Sequence, residues 1–148
     1  MRLYPEDGNP VWEQYSTKSV DQNRRADYKY TIDYSYRVAI SVHAKWIGME
    51  YPMICFNGGR PSADGTYSQR TKHGMISVII HEVGHNFFPM IINSDERQWT
   101  WMDEGLNTFV QFLAEQEFDR DYPSRRGSAR DITSYMGGDK KRISPIMT

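Results

Sequence analysis

The chain has 148 residues, 39% of them hydrophobic and 25% charged, which is the composition of one soluble globular domain and not of a disordered chain. Its net charge of −1, from 18 basic and 19 acidic side chains, gives no broad positive potential and argues against a nucleic-acid partner or an anionic membrane surface. Cys55 is the only cysteine, which excludes an intrachain disulfide and a cysteine-based zinc cluster, and its apolar neighbours favour a small buried side chain.

The N-terminal half is predicted to contain a helix followed by two strands. Residues 10–30 have a helical composition with aromatic side chains along one face. The β-branched run 37–42 predicts a buried strand. Residues 51–57 predict a second strand, in which Pro52 favours an edge position because proline cannot donate a backbone hydrogen bond. A loop rich in glycine, proline and serine then covers 58–67.

The C-terminal half is predicted to contain two helices joined by a polar loop. The first helix extends over 71–88 and is ended by Pro89. The loop covers 93–98, and the second helix covers 103–118. The buried stripe of the second helix is predicted to consist of Leu106, Val110, Phe112 and Leu113.

The apolar stretch 74–92 is the only candidate in the sequence for a membrane-spanning helix. It contains His81, Glu82 and His85, whose transfer into lipid is costly, so a span is not expected. The N-terminus lacks the apolar stretch of a secretory signal, and nothing else in the sequence indicates the compartment.

Residues 81–85, with the sequence His-Glu-Val-Gly-His, lie within the first of the two predicted helices. Histidines four positions apart lie on one face of a helix, so His81 and His85 can both reach one zinc ion at about 2.0–2.1 Å. Glu82 points toward the side where a zinc-activated water would lie, and its carboxylate can take the proton of that water. The flanking residues are apolar, so an unligated His-Glu-His patch would be costly to bury. The pattern predicts a catalytic metal site.

A third ligand is expected because catalytic zinc sites have three protein ligands and one open position. The metzincin pattern is excluded, since Phe88 and Ile91 occupy the positions of its glycine and its third histidine. Instead, Glu104 begins the next helix, and 18 residues separate it from His85.

This arrangement resembles the gluzincin aminopeptidases, the family typified by aminopeptidase N and leukotriene hydrolase. The family has a His-Glu-x-x-His helix, 18 intervening residues and then Asn/Asp-Glu-Gly, which residues 103–105 match. The resemblance implies one zinc ion bound by His81, His85 and Glu104, with Glu82 as general base. It also implies a thermolysin-like zincin catalytic domain of the α+β class, in which a small mixed sheet with an edge strand bordering the cleft packs on the zinc-binding helices.

A second segment of the family, Gly-x-Met-Glu-Asn, corresponds to residues 47–51, Ile-Gly-Met-Glu-Tyr. The family's glutamate binds the free α-amine of the substrate, so the resemblance assigns this role to Glu50, with Met49 and Gly48 in the same substrate-binding segment. A carboxylate near the zinc fixes an ammonium group one residue from the scissile bond. The resemblance thus implies removal of N-terminal residues from peptides. Because Ile47 and Tyr51 depart from the family's Gly and Asn, an endopeptidase or another zinc hydrolase is the alternative.

The resemblance covers residues 10–126, the central part of a family member. The family also has an N-terminal β-rich domain, a C-terminal helical domain and a tyrosine further downstream that stabilises the oxyanion, and Tyr122 and Tyr135 lie too close to Glu104 for that role. We therefore expect residues 1–148 to form a single partial catalytic domain of a longer enzyme, in contact with its missing domains. A zinc-binding fragment with little catalysis is a further alternative, since an absent oxyanion donor costs about two to three orders of magnitude in rate.

The region beyond Asp119 is the most basic part of the sequence. Its arginines and lysines alternate with aspartates, which is typical of a solvated surface. An interface with a further domain is the second interpretation.

Overall fold

The computed structural model describes residues 15, 18–20, 29, 35–45, 48–126, 130, 132–139 and 141–142. Three strands lie in this part of the chain: β1 (Ile40–His43), β2 (Gly48–Tyr51) and β3 (Ile54–Asn57). They are followed by helix α1 (Gln69–Gly84), a π-helical turn (Trp101–Gly105), helix α2 (Leu106–Phe118) and the short helix α3 (Ile132–Met136). The predicted α+β class is therefore confirmed. The helix predicted over 10–30 lies mostly outside the described residues.

The three strands form one mixed sheet in the order β1-β3-β2, so β2 is an edge strand. Strand β1 runs parallel to β3, with Ile40 opposite Ile54, and β2 runs antiparallel to β3, with Glu50 opposite Cys55. The strand predicted over 37–42 is found as β1, which starts three residues later and ends one residue later than predicted.

The single strand predicted over 51–57 is wrong, because the chain reverses direction inside it. Tyr51 ends β2, Pro52 and Met53 form the turn, and β3 begins at Ile54. Met53 has a φ of 66°, which a β-strand does not allow, and its backbone N–H donates to Asn86 Oδ1 at 2.8 Å. A long-range hydrogen bond thus stabilises a turn that the local sequence does not signal.

Helix α1 begins after Ser68, whose hydroxyl accepts from the backbone N–H of Thr71 at 3.0 Å. Its regular part ends at Gly84, earlier than the predicted end at residue 88. The chain then continues in tight turns, because Pro89 has no N–H and restricts the residue before it. His85 keeps helical dihedral angles of −60° and −17°, so its four-residue relation to His81 is retained.

Helix α2 does not bury the predicted apolar stripe. Of the four predicted residues only Val110 is buried, while Leu106 is 36% exposed and the other two are half-buried. The buried face carries polar side chains instead: Asn107, Gln111 and Glu115, beside Val110 and Ala114. This face packs on α1. Asn107 and Gln111 are polar because they hydrogen-bond to polar groups of α1. The predicted start of this helix at residue 103 falls within the π-helical turn.

The hydrophobic core lies between α1, the sheet and α2. Its largest contribution comes from α1, with Met75, Ile76, Ile79, Ile80 and Val83. Cys55 is 1% exposed within this core, and burial raises the pKa of its thiol to about 12, as expected of a small buried residue. None of the helices in the described part of the chain combines the length and apolar character that crossing a membrane requires.

Candidate metal centre

The predicted ligands come from two elements that the fold brings face to face. His81 and His85 lie at the C-terminal end of α1, and Glu104 lies in the π-helical turn that precedes α2. His81 and His85 are 8% and 1% exposed, whereas the side chain of Glu104 is 52% exposed. The histidines therefore form the floor of the centre and the glutamate its open side.

The three donor atoms are spaced as the ligands of one tetrahedral ion. His81 Nε2 lies 3.1 Å from Glu104 Oε2 and 3.2 Å from His85 Nε2, and His85 Nε2 lies 3.8 Å from Glu104 Oε2. Bonds of about 2.0–2.1 Å at tetrahedral angles require donor atoms about 3.3 Å apart. The residues present thus fit a zinc ion without rearrangement of the backbone.

The other nitrogen of each imidazole is bonded to an acceptor. His81 Nδ1 donates to Gln111 Oε1 at 2.9 Å, and His85 Nδ1 donates to the carbonyl oxygen of Phe88 at 2.7 Å. A neutral imidazole carries one proton, so both Nε2 atoms present lone pairs to the same point. Two lone pairs 3.2 Å apart repel each other, and a cation between them removes that repulsion.

Gln111 is oriented by its own partners. Its Nε2 donates to Glu115 Oε1 at 2.7 Å and to the carbonyl oxygen of Ser77 at 3.4 Å, which turns its Oε1 toward His81. Asn107 Nδ2 donates to the carbonyl oxygen of His81 at 2.9 Å. Glu104 and these α2 residues stand at i, i+3, i+7 and i+11, a spacing that is ordinarily apolar on a buried face. The polar character of that stripe is a sequence signal of the candidate metal centre, and apolar periodicity does not detect it.

Asp103 also lies at this centre, although the sequence patterns gave it no functional role. It is 7% exposed, and its Oδ1 lies 2.8 Å from His85 Nδ1. The N–H is aligned with the Phe88 carbonyl instead, so the attraction of Asp103 is electrostatic and not a hydrogen bond. Burial raises the pKa of Asp103 to about 6, against the opposing effect of His85.

The pKa values of the two histidines are shifted in opposite directions. Burial, followed by the neighbouring charge of His85, lowers the pKa of His81. Burial also acts to lower the pKa of His85, but the Phe88 carbonyl and the surrounding carboxylates outweigh it and raise that pKa.

Glu82 lies beside the donor atoms and is 5% exposed. Carboxylate oxygens of Glu82 and Glu50 and a ring nitrogen of His85 lie within 4.8 Å of one another. Burial raises the pKa of Glu82 to about 7; His85 opposes this shift and the charge of Glu50 adds to it. The structure therefore brings the predicted general base and the predicted amine-binding residue to the same centre.

Gly48, at the start of β2, lies against Glu82. A Cβ atom at this position would overlap Glu82 Oε1 and would lie 2.9 Å from Val78 Cγ2. The absence of a side chain at Gly48 thus leaves the space in which the Glu82 carboxylate lies. Met49, the next residue of the same predicted segment, is 39% exposed.

A cleft of about 940 Å³ opens beside these groups. It begins at His81, Glu82 and Glu104 and follows one face of α1 to Gln69 and Arg70. Tyr122 does not face the donor atoms: it is 5% exposed, its hydroxyl donates to the His73 carbonyl at 2.7 Å, and it bonds Ser77 Oγ at 2.9 Å. Burial raises the pKa of this hydroxyl far above its usual range.

Comparison with known proteins gives no match: no family model, no curated protein and no solved structure is significantly similar to the chain. The function is therefore inferred from the residues and their geometry.

Proposed function

We propose that this chain carries the zinc centre of a metallopeptidase that removes N-terminal residues from peptides. The spacing of His81 Nε2, His85 Nε2 and Glu104 Oε2 carries the proposal, because three converging donors at 3.1–3.8 Å match one tetrahedral ion. Two helices that hold the ligands beside a small mixed sheet suit a thermolysin-like zincin domain, which we include in the proposal.

Zinc held by these residues would act as a Lewis acid on a carbonyl group and would lower the pKa of a water molecule. Glu82 acts as the general base, since its carboxylate is buried beside the donor atoms. Glu82 takes the proton of the attacking water and delivers it to the nitrogen of the leaving amine. The buried floor of the centre limits competing water.

Glu50 binds the ammonium group of the substrate. Its carboxylate lies within 4.8 Å of ligand-forming atoms of Glu82 and His85, and this closeness supports a role in holding the amine one residue from the reacting bond. Within the described residues, β2 pairs with β3 alone, so its outer edge is open to an extended peptide. Main-chain hydrogen bonds along that edge would align the substrate.

A second candidate function is zinc binding with little catalysis. It is favoured by the position of Tyr122, whose hydroxyl is bonded inside the helix packing, and by the absence of tyrosine from the cleft lining in the described part of the chain. An endopeptidase would use the same zinc centre and the same general base. It would differ from the leading proposal only in that Glu50 would not bind a substrate amine.

Hydrolysis of matched peptides tests the proposal. The zinc-loaded chain should cleave a short peptide with a free N-terminus and should not cleave its N-acetyl form, because Glu50 needs an ammonium partner. Glu82→Gln should retain zinc and lose about 10²–10⁴-fold in kcat. Equal cleavage of both peptides would replace the aminopeptidase by an endopeptidase, and absence of cleavage in a zinc-loaded chain would favour the second candidate.

A further inference from the structure

The cleft extends well beyond the metal centre. Arg70 and His81 both line it and are eleven positions apart on α1, which corresponds to about 16 Å at the helical rise of about 1.5 Å per residue. An extended peptide advances about 3.3 Å per residue, so about five residues fit along this length. A substrate held at the metal centre therefore has room for several residues in the rest of the cleft.

The cleft carries groups of both charges. Carboxylates surround the metal end, from Glu50, Glu82 and Glu104. Three arginines also line the cleft: Arg70, Arg125 and Arg126. None of these three forms an ion pair with an acidic group of the described residues, so no carboxylate in that part of the chain competes with a ligand for them.

One further acidic residue, Glu115, lines the cleft. Glu115 is fully buried, and its Oε1 accepts from Gln111 at 2.7 Å while its Oε2 has no hydrogen-bond partner. Set against the three arginines, this carboxylate leaves two positive charges in excess. Arg126 is close enough to the metal end for its charge to act on His81, whose pKa is lowered by burial, by His85 and also by Arg126.

We propose that the arginines of the cleft lining form a carboxylate subsite, in which Arg70, Arg125 and Arg126 bind an anionic group of the substrate beyond the scissile bond. The direction of the substrate rests on the proposed function: with the amine at Glu50 and the reacting carbonyl at the metal end, the following residues extend along the cleft that the arginines line. Guanidinium groups bind carboxylates by paired, charge-assisted hydrogen bonds. The carboxylate is either the C-terminus of a short peptide or an acidic side chain.

The test measures peptide binding by calorimetry to the zinc-loaded Glu82→Gln chain, which cannot consume the ligand. The probes are tetra-alanine with a free C-terminal carboxylate, the same peptide as its C-terminal amide, and an amide peptide with aspartate as its third residue. We expect the free acid to bind about tenfold more tightly than the amide at low salt, with a smaller ratio at high salt. If the aspartate peptide binds more tightly than the plain amide, the subsite also accepts the carboxylate of an acidic side chain.

Substitution of the three arginines separates the subsite from direct binding of the carboxylate to zinc. R70Q, R125Q and R126Q combined should abolish the preference for the acid and leave the dissociation constant of the amide unchanged. Arg97→Gln and Arg120→Gln remove exposed arginines that do not line the cleft and serve as matched controls. An unchanged preference in the triple variant, an equal loss in the controls, or no binding of any probe would overturn the proposal.

Failure of the subsite and failure of the proposed function give different results. Acid-selective binding that depends on the arginines, in a chain that cleaves no peptide, keeps the subsite and removes the peptidase. Cleavage of the acid and the amide with equal kcat/KM by the unaltered chain keeps the peptidase and removes the subsite. Far-ultraviolet circular dichroism of the triple variant, with arginine-to-lysine replacements as a second set, establishes that a loss of binding is not a loss of folding.

Discussion

Helices α1 and α2 pack against each other but bury different kinds of side chain. The core face of α1 is aliphatic, with Ile76, Ile79 and Ile80 each at most 1% exposed. The face of α2 that meets α1 is mainly polar, with Asn107, Gln111 and Glu115 each at most 2% exposed. Buried polar groups cost free energy unless they are hydrogen-bonded. The contrast indicates that α1 supplies most of the apolar core and that α2 supplies the hydrogen bonds that orient the candidate metal centre.

Truncation of the aliphatic face should have the largest effect. Ile79→Ala leaves a cavity in the core and is expected to lower the free energy of unfolding by about 2–5 kcal/mol, with no change in zinc affinity of the folded fraction. Chemical denaturation with and without zinc measures both quantities. Ile92→Ala, at a side chain that is 41% exposed, is the control and should change stability by less than about 0.5 kcal/mol. A loss of zinc affinity equal to the loss of stability would show that the two faces are not separate.

Truncation of the polar face should act on the metal instead. Gln111→Ala removes the acceptor of His81 Nδ1 and the donor to Glu115, so zinc affinity is expected to fall about 10–100-fold. Competition with a chromophoric chelator measures the dissociation constant. Gln116→Ala, the same change on the same helix with a partner at Tyr122, should leave the constant unchanged. An unaltered constant in Gln111→Ala would contradict the role of the polar face.

Gly48 extends the comparison to the sheet, where a missing side chain orients a polar group. Gly48→Ala should displace the Glu82 carboxylate and lower kcat about tenfold with zinc retained. The double variant with Glu82→Gln is the control, because the alanine should have no further effect once the carboxylate is gone. Additive losses in kcat would place the effect of Gly48 elsewhere.

The smallest effect is expected in the pH dependence of the metal-free chain. Glu82 has a pKa of about 7 in the folded state, against 4.5 for an unperturbed glutamate side chain, so its protonation favours folding. This contribution is complete below about pH 4.5 and is lost as the pH rises through about 7. Between pH 5 and pH 8, the melting temperature of the unaltered chain should therefore fall relative to that of Glu82→Gln. If the difference between the two melting temperatures stayed constant from pH 5 to pH 8, the raised pKa of Glu82 would be refuted.

The sequence predicts which side chains meet at the candidate metal centre better than it predicts their surroundings. His81 and His85 share a helix face at any orientation of that helix, so their pairing follows from local geometry. The partners of these histidines depend on how α2 packs, and the same Gln111 on a surface helix would carry no information. The apolar stripe predicted for α2 was wrong for this reason, since periodicity identifies the buried face only when that face is apolar.

The sheet shows the same limit. The composition of residues 51–57 predicts β-structure. The reversal at Pro52 and Met53 depends on a hydrogen bond to Asn86, which is 33 positions away along the chain from Met53. The edge position predicted for residues 51–57 is wrong, since β3 lies between β1 and β2, and Glu50 lies on the edge strand β2. Local propensity therefore identifies the elements, and long-range hydrogen bonds set their limits.

Metal analysis of the purified chain tests the central claim most directly. After reconstitution with zinc and removal of the excess, elemental analysis should find about one zinc per chain. His81→Ala, His85→Ala and Glu104→Ala should each lose most of that metal, whereas His43→Ala should retain it. A chain that holds no zinc, or that holds it equally well in all four variants, would contradict the metal centre formed by His81, His85 and Glu104.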